Sequence, residues 1–586
     1  MDYISVMPPR SHLPILFLFL ILFGASMRAE PLRVEKRDSI VILGNTSAER
    51  MQLFGYFETF LHTRFSDHQL RVRNMGWSAD EVDKRIRPQG FPELFAELEE
   101  HRADLLFLCF GFNESFQTAA GLDHYKSELE KFLKELQGQK FNGESAPRIV
   151  LVSPIPFEDL SEGSSTRAKE NARIQLYSEA SKTVAEEHGA RFLDLFTPLL
   201  DRAANVPNRK ITFNGIHLTE YGDWTVSQLM ARGLELWSDD LPLPQLNPGD
   251  EKFRRAVYEK NHHYFTWWHP PNASYIHGGR NTSRGAMHLA TEREHRKLLI
   301  EAAERELWAM EKPKLSEVWG AEPVEGKPVW FPTPGNREIP GVAQGKEAQW
   351  EVKSDGPSDK HLRTPQEQLA MFKVTDGYQI NLFASEQRFP IANPFAIRFD
   401  AKGRLWVGNS PTWPHSLPGK QPMDSLVILE DEDHDGIADK HSVFLDKMKL
   451  IHGFALADGG GAFVAQVPNL ILAKDTSGDG RADWVRTVLH GFGAEDAEHA
   501  MNNFRWSPDG SLYFSQGIFY HTQIETPLGP RRVRDAAVFR YTPREHQLEI
   551  PVSHAFWNPY GKVFDHWGRG ILLDASAGQY YPLDVI

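Results

Sequence analysis

The chain has 586 residues, 41% of them hydrophobic and 25% charged, with a formal net charge of −14. Such a composition argues against wholesale disorder and against a polytopic membrane protein, and the acidic balance argues against a nucleic-acid partner. One cysteine, Cys109, rules out an internal disulfide, a Cys-type zinc site and c-type haem attachment within this sequence.

In chain order, Arg10 precedes an apolar run over residues 13–25, and the small residues Gly24, Ala25, Ser26 and Ala29 follow. The run is shorter than the roughly 20 residues that span a bilayer, so residues 1–29 read as a signal peptide. An uncleaved anchor is the alternative. Both predict an exported protein, periplasmic or extracellular, that meets a membrane only through this segment.

Residues 30–240 alternate strand-like and helix-like patterns. Buried-strand runs fall at 39–43, 104–110, 148–153 and 190–195, and helical periodicity at 48–65, 125–136, 168–188 and 219–237. The alternation predicts a three-layer α/β domain around a mostly parallel sheet, with ligands at the C-terminal strand ends. Residues 241–311 are rich in histidine and aromatics, with a charged helix from about 287. The spacing of His262, His263, His269 and His277 matches no standard metal pattern, so packing between domains is the favoured reading. Residues 312–370 read as a linker.

From 371 the pattern becomes all-β. Glycine turns at Gly403, Gly460, Gly510 and Gly568 precede short apolar strands, at intervals of 57, 50 and 58 residues. That period predicts a β-propeller. Only four such turns are visible before residue 586, so the propeller is expected to be incomplete. A second repeat places Asp431, Asp433, Asp435 and Asp439 44 residues before Asp475, Ser477, Asp479 and Asp483. Alternating carboxylates around a glycine suit Ca²⁺, although neither repeat carries the terminal Glu of an EF-hand. Asx turns of a blade hairpin are the other reading.

Four blocks in order resemble those of the SGNH (GDSL-type) hydrolases: Gly44-Asn45-Thr46, Gly76, Gly111-Phe112-Asn113-Glu114 and Asn214-Gly215-Ile216-His217. The resemblance implies a flavodoxin-like α/β fold, with Thr46 at the nucleophile position and His217 as base oriented by Asn214. Gly76 and Asn113 take the oxyanion hole. Two triad positions depart from Ser and Asp, which predicts weak or no turnover of generic acyl esters. Thr46 reads equally well as the cap of the helix that follows.

Residues 371–586 resemble the start of sugar/sorbosone dehydrogenase propellers that use pyrroloquinoline quinone (PQQ), in the version of planctomycete-type membrane-bound dehydrogenases. The opening from Val374 to Ala384, the Glu498-His499 pair ahead of Arg505 to Tyr513, and Asn558-Pro559 carry it. The resemblance implies His499 as general base, Glu498 and Asn558 as cofactor contacts, and PQQ, Ca²⁺ and an electron acceptor as partners. Trp557 replaces the arginine that contacts the quinone. Together the two resemblances predict an exported ester hydrolase-like and sugar dehydrogenase-like protein acting on carbohydrate or acylated glycan. The alternative is a non-catalytic carbohydrate-binding scaffold.

Overall fold

The structure is a computed structural model that describes residues 31–160, 166–237, 248–277, 289, 291–313, 333–343, 363–554, 556–576 and 578–583. The expected signal peptide lies outside the described residues, as does most of the expected linker.

In chain order the first module runs β1 (Ser39–Gly44), α1 (Thr46–Phe54), α2 (Tyr56–Arg64), β2 (Arg71–Asn74), α3 (Leu94–Glu100), β3 (Leu105–Cys109), α4 (Leu122–Gln137), β4 (Arg148–Val152), α5 (Thr166–Glu187), β5 (Arg191–Leu193), α6 (Phe196–Asn205) and α7 (Glu220–Gly233). The strands form one parallel sheet in the order β2-β1-β3-β4-β5. Both faces are covered, which is why its strands are unbroken apolar runs. Ile40, Ile42, Leu105 and Phe107 join the core on one face, and Val41, Leu43, Leu106 and Leu108 the core on the other. The single helix expected over 48–65 is two helices. Gly55 breaks it with φ 68°, and a Cβ there would stand 3.1 Å from Val257. β2, α3 and α6 were not read from the sequence.

The His- and aromatic-rich stretch is largely a helix, α8 (Pro248–Trp268), followed by α9 (Ala273–Ile276) and α10 (Glu292–Ala309). Tyr264, Trp267 and Trp268 bury into the sheet's second core. Lys260 Nζ lies 2.6 Å from Glu58 Oε1, and Arg73 pairs with Glu304, so the segment is anchored by buried charge as well as apolar area. His263 and His269 are buried in this packing and His262 is half-buried, and they form no metal-ligating group among the described residues.

After a short helix α11 (Pro365–Leu369), the chain is propeller-like. β6 (Pro394–Phe399), β7 (Leu405–Asn409), β8 (Asp424–Glu430) and β9 (Lys440–Met448) form the first antiparallel sheet. β10 (Ile451–Ala457), β11 (Gly461–Gln466), β12 (Asn469–Lys474) and β13 (Trp484–His490) form the second. The third takes β14 (Asn502–Trp506) and β15 (Leu512–Gln516), then an inserted hairpin of β16 (His521–Ile524) and β17 (Arg531–Arg534), and then β18 (Ala537–Thr542) and β19 (Gln547–Ser553). β20 (Gly561–Phe564), β21 (Gly570–Asp574) and β22 (Gln579–Leu583) form the fourth. Each of the four glycine turns joins the first two strands of a sheet, and each Asp repeat joins the last two strands of a sheet. The regular spacings follow from that.

The inserted hairpin of the third sheet reaches across to the α/β module. Gln523 Nε2 donates to Asp80 Oδ1 at 2.8 Å, and the Arg532 guanidinium donates to the Ala79 carbonyl and pairs with Glu81.

Candidate active site

The four hydrolase-like blocks converge at the C-terminal ends of β1, β2 and β3, as the parallel topology dictates. Gly44 ends β1 at φ 141°, so close to β3 that a Cβ would meet the Cys109 carbonyl at 2.1 Å. Asn45 then caps α1, its side chain accepting from Ser47 N at 3.0 Å. The helix cap is therefore Asn45, and the reading of Thr46 as cap is corrected.

Thr46 is fully buried and turned toward the second block. Its Oγ1 accepts from Ala79 N at 3.2 Å and lies 3.0 Å from Ser78 Oγ. Ser78 in turn donates to the His490 carbonyl at 3.0 Å. Ser78's proton is therefore committed, and the Thr46 hydroxyl donates to Ser78 rather than to a base. Gly76, expected as an oxyanion donor, gives its N–H to Asn74 Oδ1 at 3.0 Å in this arrangement.

His217 and Asn214 do meet. Asn214 Oδ1 accepts from His217 N at 2.9 Å and Ile216 N at 3.3 Å, which turns its amide nitrogen onto His217 Nδ1 at 3.0 Å. An amide that donates to Nδ1 leaves the proton of a neutral imidazole on Nε2. A hydrolase base needs the opposite tautomer, with the Nε2 lone pair facing the nucleophile. Burial also pushes the His217 pKa down, against the pull of Glu525.

Glu525, in the turn between β16 and β17, fills the place where an ester carbonyl would sit. It is 3% exposed in side chain. Asn113 Nδ2 donates to its Oε2 at 2.7 Å, and its Oε1 lies 3.3 Å from His217 Nε2. The propeller-like region thus lays a carboxylate between the expected oxyanion donor and the expected base. Only about 30 Å³ of space remains beside it, lined by Ser47, Cys109 and Ser153 among others, which is room for a water and not for an acyl group. Glu114 closes the floor, accepting from Val82 N and Gly111 N at 2.9 Å each. Burial pushes its pKa up to about 8.

In the propeller-like region His499 is buried, and its Nδ1 lies 3.2 Å from Asp496 Oδ2. Asp496 also accepts from Glu498 N at 3.0 Å. The carboxylate that faces His499 Nδ1 is therefore Asp496, while Glu498, expected as a cofactor contact, is exposed. Asn558 donates to Ser576, and its backbone N donates to Asp574. Trp557 is 61% exposed. Around His499 stand Asp496, Glu498 and Tyr560, whose hydroxyl donates to the Glu498 carbonyl. The nearby buried cation, Lys562, contacts Ser515 and has its pKa pushed down to about 7 by burial. With Trp557 in place of the arginine and carboxylates around His499, the residues present do not fit the anionic tricarboxylate PQQ.

The Asp-rich turns differ from each other. Carboxylates of Asp431, Asp433 and Asp439 converge within 4.8 Å, while Asp435 accepts from Ile437 N. In the second turn Asp475 accepts from Gly478 N and Gly480 N, Asp479 from Arg481 N, and Asp483 from Thr476. No such convergence is found there among the described residues.

Sequence reasoning missed Glu525, Ser78 and Asp496. Ser78 and Asp496 stand within three residues of positions that were read. Nothing local marks Glu525.

Residues 38–224 match the GDSL-like lipase/acylhydrolase family, and residues 364–583 match a domain of unknown function, DUF7133. No curated protein matches. Among solved structures, the chain is similar to a gut microbial diltiazem-metabolizing enzyme at 17% identity, over 38% of this chain and 51% of that chain, with a TM-score of 0.30. The chain therefore spans about half the length of that enzyme. It is also similar to a catalytic mutant of an acetylxylan esterase from Geobacillus stearothermophilus, at 16% identity over 35% of this chain and 96% of that one, with a TM-score of 0.28.

Proposed function

We propose that this is an exported protein that handles acylated carbohydrate. Its GDSL-like domain is an ester hydrolase-like module held without turnover in the arrangement described. The observation that carries this reading is Glu525, which occupies the seat between Asn113 and His217. A carboxylate there mimics the charge of a tetrahedral oxyanion and takes up the donor that would stabilise one. The test is hydrolysis of p-nitrophenyl acetate and acetylated xylan by the full chain, beside its Glu525→Ala and His217→Ala variants. The wild type should run near the uncatalysed rate. Glu525→Ala should raise the rate, and His217→Ala added to it should remove the gain. Fast wild-type turnover abolished by His217→Ala would overturn the reading.

A second reading, a non-catalytic carbohydrate-binding scaffold, is favoured by the Thr46 hydroxyl facing Ser78. Retention of the full chain on acetylated xylan, with no rate change in Glu525→Ala, would select it.

For the propeller-like region we propose a sugar-facing role without PQQ. Dye reduction on a sugar panel with added PQQ and Ca²⁺ should therefore give no signal. Ca²⁺ is proposed at the Asp431–Asp439 turn alone. Saturating Ca²⁺ should raise the melting temperature by a few degrees, and Asp433→Asn should remove that rise.

A further inference from the structure

A cavity of about 400 Å³ lies on the seam between the two modules and outside the hydrolase-like seat. It is in the size range of small-molecule sites, about 300–1,000 Å³. One wall comes from α1, α8 and Phe213. The other comes from the β9–β10 turn and from β13.

Its charge is unbalanced. Lys449 is 7% exposed, and among the described residues no acid or acceptor lies within reach of its ammonium. Burial and the repulsion of Arg296 push its pKa down to about 7. Arg50 is 6% exposed; its Nε has no partner, and one Nη2 reaches the Leu218 carbonyl at 3.4 Å. Arg486, half-buried, faces no acid among the described residues. Both guanidinium groups lie over the Phe213 ring, 5.2 and 5.4 Å from its centroid.

Of the two lining acids, Glu49 also acts on Arg50, as do Asp223 and Glu525 from outside the lining, but none of the three makes a direct ion pair with it. Glu49 lies 2.8 Å from His490 and 3.1 Å from His269. Glu220 lies 3.2 Å from Arg254 and accepts from the Tyr56 hydroxyl at 3.0 Å. Burying a cation without a directly paired counter-charge is unfavourable, and here Lys449 and Arg50 are buried and Arg486 half-buried around one cavity with no direct ion pair among the described residues, an arrangement that suits an anionic ligand. Gln466 and Asn469 line the same space, their side-chain oxygens engaged by Lys449 N and His490 Nδ1. Side-chain amide N–H donors suit hydroxyl groups.

We propose that this seam cavity binds a polyhydroxylated organic anion. The Arg50–Arg486 pair takes its carboxylate (or sulfate or phosphate), Phe213 and Phe265 pack against its body, and Lys449, Gln466 and Asn469 bind its hydroxyls. The proposal does not depend on how the ester site is read.

Calorimetry on the full chain tests it, with D-glucuronate, glucose and inorganic phosphate as probes. Glucuronate should bind saturably and glucose should not. Arg486→Gln and Lys449→Met should each weaken glucuronate by about tenfold or more, the usual size of a charge-assisted contact. Lys449→Met should melt no lower than wild type, because it removes an unpaired buried charge. Failure of glucuronate to saturate would overturn the proposal. So would binding indifferent to both substitutions, or a Lys449→Met that melts well below wild type. Phosphate that binds while glucuronate does not would overturn the organic body, leaving a site for a free inorganic anion.

Discussion

Two buried histidines, one in each module, are held in opposite ways. His217 accepts an amide hydrogen at Nδ1 and points Nε2–H at the Glu525 carboxylate. His499 faces the Asp496 carboxylate with Nδ1, which places its proton there and leaves the Nε2 lone pair uncommitted. The first imidazole lies between an amide and a carboxylate, and the second faces a carboxylate with Nδ1 alone. The difference is a single atom in the partner at Nδ1, amide nitrogen against carboxylate oxygen. It teaches that the presence of a histidine at a family position says little until its other nitrogen is accounted for.

The largest effect expected from breaking this contrast is on ester hydrolysis. Asn214→Asp combined with Glu525→Ala gives His217 the same kind of partner as His499 and vacates the seat. In serine proteases the reverse change, Asp to Asn, costs about 10⁴ in rate, so the double variant should exceed Glu525→Ala alone by about 10²-fold or more. An initial-rate assay with p-nitrophenyl acetate checks this, and equal rates would show that Thr46 cannot serve as nucleophile. In the opposite direction, Asp496→Asn keeps an acceptor oxygen for Glu498 N but puts an amide N–H where a carboxylate oxygen faces His499 Nδ1. Chemical denaturation should register a loss of about 1–3 kcal/mol. Selective ¹⁵N labelling of histidine should then show His217 as the Nε2–H tautomer and His499 as Nδ1–H in wild type, with His499 reversed in Asp496→Asn.

The smallest effect is a pH slope. Glu114, beneath the seat, has its pKa raised from an ordinary carboxyl value to about 8. A group whose folded pKa is raised contributes its stability at low pH and loses it as pH climbs. Relative to Glu114→Gln, wild type should therefore lose stability steadily between about pH 4.5 and 8. A difference that stays flat across that range would mean that the backbone N–H groups of Val82 and Gly111 keep Glu114 ionised.

What the sequence displayed was local. β1, β3 and β4 are uninterrupted apolar runs because both faces of the sheet are covered, and that pattern is visible without tertiary knowledge. The glycine turns were legible for the same reason, each being a hairpin feature repeated once per sheet. α8 was hidden by its histidine and aromatic content, which lowers helix propensity. Phe253, Val257, Tyr264 and Trp268 nevertheless keep a helical period that a count of apolar positions would have found. Glu525, Lys449 and Arg486 were illegible in principle. Each acquires its meaning from residues hundreds of positions away, Glu525 from Asn113 and His217, Arg486 from Arg50 and Phe213.

The inserted hairpin between β15 and β18 has a consequence for how the chain comes apart. Asp80, Glu81 and Asn113 of the α/β module pair with Gln523, Arg532 and Glu525 of the hairpin, His217 faces Glu525 at 3.3 Å, and all seven are at least mostly buried. Separating the modules would strand these polar groups together in surfaces shaped to exclude water. The two halves should therefore melt in one cooperative transition. A protease cut within the hairpin should loosen both modules together and leave neither as an intact, independently stable half.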